Sequence, residues 1–140
     1  MIAVTIVAAL AAVVFLTMIE PAIQRSKQKR TMADIRTIAN ALEARASDTN
    51  EYPAVASVDA LVPLLVPKYV TKLPRVDGWG RPFRYSASGG VYTIISAARD
   101  GVFEKSSAKD YPGGLQESFD ADIVYSNGTF IQYPPGVGRN

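Results

Sequence analysis

Polarity along the chain changes its period three times. Residues 1–19, MIAVTIVAALAAVVFLTMI, carry no charge, and only Thr5 and Thr17 interrupt the apolar run. As a helix this stretch spans about 28 Å, close to the hydrocarbon thickness of a bilayer. It predicts a membrane-spanning helix. Three other readings compete. A cleaved signal peptide would suit the small residues Ala8, Ala9, Ala11 and Ala12, but no basic residue precedes the apolar run. A buried core helix would need covering on all faces, which a small domain does poorly. An amphipathic surface helix would need a polar face, and none is present. The same alanines would let two helices approach closely.

Glu20-Pro21 and then Arg25, Lys27, Lys29 and Arg30 end the apolar run. A basic cluster beside an apolar span belongs at a membrane surface. Pro21 need not end the helix; it could kink it or melt one turn. From Thr31 to Ala46 the period is helical: Met32, Ile35, Ile38, Ala39, Leu42 and Ala46 share one stripe. The expectation is one long helix, apolar in its first half and amphipathic in its second. Ser47-Asp48-Thr49-Asn50 stops it. Ser57 can cap a short helical segment from Val58 to Leu65, interrupted or restarted by Pro63. The period then becomes two. Pro82–Ser86, a Gly89-Gly90 turn and Val91–Ser96 read as a hairpin, and so do Ile123–Tyr125, Asn127-Gly128 and Thr129–Tyr133. Between the hairpins lies a long loop, Ala97 to Asp122, of a length that calls for an anchor or a function. The tail from Pro134 to Asn140 reads as loose coil. The fold class is α+β.

Composition narrows the chemistry. A chain of 140 residues fits one domain, and 48% hydrophobic with 20% charged residues excludes wholesale disorder. The net charge of +2 is too small to argue for a nucleic-acid partner. The chain has no Cys and no His. Disulfides, thiolate zinc sites, Ser-His-Asp triads and imidazole metal sites are therefore excluded. No phosphate-binding glycine motif occurs. Paired acids for glycoside hydrolysis and Ser106-Ser107 with Lys105 or Lys109 for nucleophilic chemistry both lack a supporting cleft. No enzyme is expected.

The long loop carries the remaining constellation. Asp100-Gly101 opens it, and Asp120-Ala121-Asp122 closes it, with Glu117 and Ser118 nearby. Carboxylates at the base of a loop repel unless a cation bridges them. Ca²⁺ takes six to eight oxygens, so Asp100, Asp120 and Asp122 with backbone carbonyls could form its shell. The alternative is a turn plus solvated loop acids. The EF-hand ladder is absent.

Residues 1–45 resemble the N-terminal helix of type IV pilin-like proteins. Residues 33–53 (ADIRTIANALEARASDTNEYP), 69–101 and 119–128 resemble, more specifically, the major (G-type) pseudopilin of type II secretion systems. Asp77, Trp79, Gly80, Pro82, Phe83 and Tyr85 match its middle motif D-x-W-G-x-P-[FY]-x-Y, and Ser96, Asp100 and Gly101 match a S-x-x-x-D-G turn. The likeness covers about residues 1 to 133. The middle motif itself reads as structural, with Asp77-Gly78 turning the chain and Trp79 covering the junction of helix and sheet.

The resemblance implies a pilin fold: a long N-terminal helix packed on a small antiparallel sheet. Residues 1–20 would form the transmembrane and filament-core helix, and residues 21–140 the head, including the amphipathic helix half 21–48. It implies a Ca²⁺ site at Asp100, Asp120 and Asp122 with the backbone carbonyl of Ala97, although Ala121 stands where a second acid is common and the Val102–Phe119 insertion is longer than expected. It implies self-assembly into a helical filament. Other partners would be an inner-membrane assembly platform, other pseudopilins and, before assembly, lipid. The anchor would cross the bacterial inner membrane once, with the head in the periplasm. The positive-inside rule alone would put the basic cluster in the cytoplasm. A type IV pilin fibre subunit, a non-polymerising membrane-anchored binding module and a tethered metal-dependent hydrolase are the alternatives. Family precursors carry a basic leader cleaved before a Phe, often methylated, and a Glu shortly after it. Met1 aligns just past that Glu, so the expectation is either a start placed too late or the lack of a processing site.

Overall fold

The computed structural model describes residues 2–136. One helix, α1 (Ile2–Thr49), carries both halves and runs through Pro21 without melting. Its length of 48 residues corresponds to about 72 Å. Asn50 ends it in the left-handed region (φ 59°), with its N–H donating to the Ala46 carbonyl at 2.7 Å. Among the described residues α1 is the one helix long and apolar enough to cross a membrane, and the head buries none of its apolar window. A buried core helix is thereby excluded for this segment. The amphipathic stripe behaves as expected: Met32, Ile35, Ile38, Ala39 and Leu42 are buried, and Ala46 is half-buried.

The chain returns along α1 through a 3-10 turn (Asp59–Leu61) that leads into the one-turn helix α2 (Val62–Leu65). The Ser57 hydroxyl accepts the Ala60 N–H at 3.3 Å. Pro63 sits in the first turn of α2, where its missing N–H does no harm. Leu61 and Leu65 are fully buried against the α1 stripe.

The sheet has five strands: β1 (Arg84–Ser88), β2 (Val91–Ser96), β3 (Gly114–Leu115), β4 (Ile123–Ser126) and β5 (Thr129–Tyr133), in the spatial order β1-β2-β4-β5-β3. The first four in that order pair antiparallel, and β3 adds a parallel edge to β5. Two expectations shift. Pro82 forms only an isolated bridge with Val76, and β1 starts at Arg84, because proline has no donor for the ladder. The loop from Ala97 to Asp122 is not structureless: it contains β3 and a 3-10 turn (Ala108–Asp110). The expected coil of the tail falls partly on residues 137–140, which lie outside the described residues, as does Met1.

Burial along β2 is continuous from Tyr92 to Ser96. One face packs on α1 through Tyr92, Ile94, Ile123, Tyr125 and Phe130. The opposite face forms a second cluster of Ile95, Val124 and Tyr111, with Phe103 and Ile131 packed against it. The sheet is therefore covered on both sides, by the helix and by the long loop, which explains why burial along β2 does not alternate.

The middle motif clasps helix to sheet. Asp77 is buried at 2% exposure. Its Oδ1 accepts the N–H groups of Trp79 and Arg81, each at 3.0 Å, and its Oδ2 accepts the Ser96 hydroxyl at 2.7 Å. Gly78 donates its N–H to Thr31 Oγ1 at 2.8 Å, and Thr31 donates to the Lys27 carbonyl at 2.7 Å. A Cβ at Gly78 would lie 2.4 Å from that carbonyl oxygen, so only glycine lets the turn approach the helix. The Trp79 indole donates to Gln24 Oε1 at 2.7 Å, and Gln24 donates to Glu20 at 2.8 Å. At the other end of the helix, Glu43 accepts the hydroxyls of Tyr52 and Tyr92, each at 3.0 Å. The Tyr85 hydroxyl donates to the Pro53 carbonyl at 2.9 Å, and burial pushes its pKa up to about 12.

Asp77→Ala leaves two N–H groups and a hydroxyl without their acceptor, a loss of about 3 kcal/mol or more. Gly78→Ala must push turn and helix apart, costing about 2–3 kcal/mol. Thermal unfolding of the detergent-solubilised chain should show Tm falling by about 6–10 °C for each. A Tm unchanged in Gly78→Ala would contradict the close approach.

Candidate functional site

The long loop starts where β2 ends. Ala97 and Ala98 are buried, and Ala98 takes a positive φ of 57°, which bends the chain across the end of the sheet. Asp100 Oδ1 accepts the Val102 N–H at 3.0 Å, closing a tight turn around Gly101. Gly101 has φ 69°, and the Arg81 guanidinium lies where a Cβ would stand. The loop closes through Arg99, whose N–H donates to the Phe119 carbonyl at 3.1 Å.

The three aspartates go to different places. Asp120 is half-exposed and held by Arg99 through two hydrogen bonds, 2.8 Å from Nε and 2.9 Å from Nη2. This bidentate pair holds the Asp120 carboxyl below the usual range. Asp122 is buried, at 1% exposure. Its Oδ2 accepts the Tyr111 hydroxyl at 2.5 Å and the Glu104 N–H at 2.9 Å. Its Oδ1 is buried without a hydrogen-bond partner among the described residues. Burial raises the Asp122 carboxyl, and the charges of Glu104 and Asp100 add to the rise, while the two hydrogen bonds oppose it. Asp100 is exposed at the turn, near enough for its charge to be felt at Asp122.

So the fold turns Asp120 to Arg99, buries Asp122 with Tyr111 and leaves Asp100 at the exposed turn. Among the described residues no three acidic side chains gather at metal-ligating spacing. The unpartnered Oδ1 of Asp122 is the feature that suits a cation, because a buried anionic oxygen with no donor is costly without one. Four residues around this site were not singled out by the sequence reading. Tyr111 reaches Asp122 from within the insertion, and burial with that contact raises its hydroxyl pKa. Arg99 captures Asp120. Glu104 contributes a backbone N–H. Gln132 donates to the Asp122 carbonyl at 2.8 Å from β5. Only Arg99, beside Asp100, had a readable hint, as a cation among loop acids.

The second candidate feature is the exposed half of α1. Ile2, Val4, Leu10, Phe15, Leu16 and Met18 all stand free of the head. An apolar surface of this extent on one cylinder marks a lipid or protein interface.

Residues 18–111 match the family model described as type II secretion system (T2SS), protein G. The chain belongs to the type II secretion protein G family. It is also similar to the type II secretion system core protein G of Aeromonas hydrophila, with 32% identity across 56% of this chain and 63% of that protein. It therefore spans a little under two thirds of that relative's length. Protein G members are pseudopilins, a structural family rather than an enzyme family. The matched protein G segment contains the Asp77–Arg81 clasp, Ala97 and Asp100, whereas Asp120 and Asp122 lie beyond its end.

Tyr111→Phe removes a donor from Asp122 and should lower stability by about 1–2 kcal/mol. Its second effect is on pH dependence. A raised carboxyl binds its proton more tightly folded than unfolded, so Asp122 stabilises the fold at low pH. That contribution is lost as pH rises from 3.8 through the raised value. Asp120, lowered, has the opposite sign: its contribution is present above 3.8 and lost as pH falls. Without divalent cation, the wild-type minus Asp122→Asn difference in Tm should fall with rising pH across this range. Tyr111→Phe should move that fall to higher pH. A flat difference curve would remove the buried-anion account.

Proposed function

We propose that this chain is a membrane-anchored structural subunit of a type II secretion pseudopilus. The single observation that carries the reading is the exposed apolar half of α1 joined without a break to a family-matched head. Residues 1–20 hold the monomer in the inner membrane as a single-pass anchor, and residues 21–140 form the head on the periplasmic side. On extraction the same apolar surface packs against the helices of neighbouring copies. A heterologous, non-closing contact of this kind builds a helical filament. Lipid contact is exchanged for helix contact, with Ala8, Ala9, Ala11 and Ala12 allowing close approach. The growing filament, assembled on an inner-membrane platform with other pseudopilins, moves secreted proteins towards an outer-membrane channel. The chain is not read as an enzyme.

Ca²⁺ is the proposed loop ligand, held by Asp122 and Asp100 with the Ala97 carbonyl. Asp120 joins only if it exchanges Arg99 for the cation. The support is the buried, unpartnered Oδ1 of Asp122. The ion would supply positive charge that lets Asp122 stay ionised in its buried position and would pin the loop over the sheet.

Two experiments test these readings. The chain has no native Cys, so cysteine pairs introduced across residues 6–16 report only designed contacts. In membranes that also contain the secretion machinery, oxidation should give a ladder of covalent multimers for pairs on the packing face. Monomer alone across the whole scan would favour a non-polymerising anchored module. For the cation, Ca²⁺ at about 100 times its Kd adds about 2.7 kcal/mol, or roughly 8 °C in Tm. Asp122→Asn should abolish that gain. An unchanged wild-type Tm on chelation and re-addition would sink the Ca²⁺ site while leaving the filament reading intact.

A further inference from the structure

The neck between the apolar half of α1 and the head is rich in cationic side chains. Arg25 and Lys29 are one turn apart on one face of the helix. Neither has an ion-pair partner among the described residues, whereas Arg30 is paired with Asp34. With Gln28 at its floor, the two cations flank a cleft of about 360 Å³ closed by Pro134, Pro135 and Gly136. A second hollow of about 430 Å³ continues past Arg25 to Pro21, Glu117 and Phe119. Pro134 and Pro135 have no N–H to offer, so among the described lining residues the side-chain donors are the two cations and the Gln28 amide.

The position of the cleft along α1 limits what can occupy it. The uncharged run ends at Ile19, and Arg25 follows about 9 Å further along the axis. The headgroup layer extends about 5–7 Å beyond the hydrocarbon on each side. Helical Cα–Cβ bonds tilt towards the N-terminus, which is here the membrane end. Arg25 and Lys29 therefore lean towards the bilayer, and their long stems let the charges reach the headgroup level. A guanidinium and an ammonium one helical turn apart match a single phosphodiester approached from below. Glu117 lines the adjoining hollow with Arg25, where its charge would disfavour a second phosphate.

We propose that this cleft binds the headgroup phosphodiester of an anionic phospholipid, with Arg25 and Lys29 as the phosphate ligands. The proposal rests on the membrane-anchored reading above and deepens it. A bound headgroup holds the monomer at a set depth, and extraction into a filament releases it.

The test uses the full chain in nanodiscs containing equal parts of phosphatidylglycerol, phosphatidylethanolamine and phosphatidylcholine, with retained lipid read by native mass spectrometry. The wild type should retain phosphatidylglycerol at least fivefold over the other two. Arg25→Gln/Lys29→Gln should bring the three to equality, while Lys105→Gln/Lys109→Gln on the loop should leave the preference unchanged. Arg25→Lys/Lys29→Arg keeps the charge and should keep the preference, which guards against misfolding of the neutral pair. Equal retention by the wild type overturns the proposal, and so does an equal loss in the loop variant. A chain that fails to enter the discs would overturn the membrane-anchored reading instead. Entry without lipid preference overturns only the headgroup site.

Discussion

The buried carboxylate of Asp77 holds together parts of the molecule that have no other reason to meet. It ties the turn at Gly78–Arg81 to the end of β2 through Ser96, and that turn is pressed on α1 at Gln24, Lys27 and Thr31. A buried anion is tolerated only when its oxygens are filled with donors. Here two backbone N–H groups and a hydroxyl fill them. The hydrophobic stripe of α1 supplies most of the burial, but a stripe can slide along or rotate over an apolar sheet. The polar clasp selects one position, because Gly78 fits against the helix only where the Lys27 carbonyl and the Thr31 hydroxyl are spaced to receive it. The loop that leaves Ser96 inherits that position, and with it the placing of Asp100 and Asp122.

Much of this is legible in the sequence. The apolar run, the stripe from Met32 to Leu42 and both hairpins follow from period alone, since each needs only local spacing and one buried face. The D-G-W-G motif was readable as structural. Its partners were not, because Gln24 and Thr31 are polar residues that look like solvent-facing positions of an amphipathic helix. They are buried by hydrogen bonding to Trp79 and Gly78, and no hydropathy pattern distinguishes a satisfied polar contact from a solvated one. The expected start of the first strand shifts for a different reason: Pro82 has no N–H for the ladder, so only a bridge to Val76 forms there and the strand begins at Arg84.

The loop was the least legible part. Spacing brought three aspartates to its two ends and suggested one cluster. Sequence alone could not weigh Arg99 against a cation as the partner of Asp120, nor reveal that Tyr111 closes on Asp122 across the insertion. The edge strand β3 is two residues long and begins with glycine, below any periodicity test. What this extra chain does is give the sheet a second covered face. Ile95 and Val124, which would otherwise be exposed on the back of the sheet, pack with Tyr111 and Phe103. The insertion is thus both the cover of a small core and the wall of the acidic site, so a ligand bound at Asp122 is linked directly to the packing beneath it.

Because α1 runs unbroken through Pro21, and because Gln24 and Thr31 are both gripped within the first turns above the apolar half, head and anchor share one azimuth. The head cannot turn about the helix axis without carrying the apolar half with it. Any torque applied to one end is delivered to the other, and a subunit seated in a helical array would present its loop in a direction dictated by the angular setting of its buried helix.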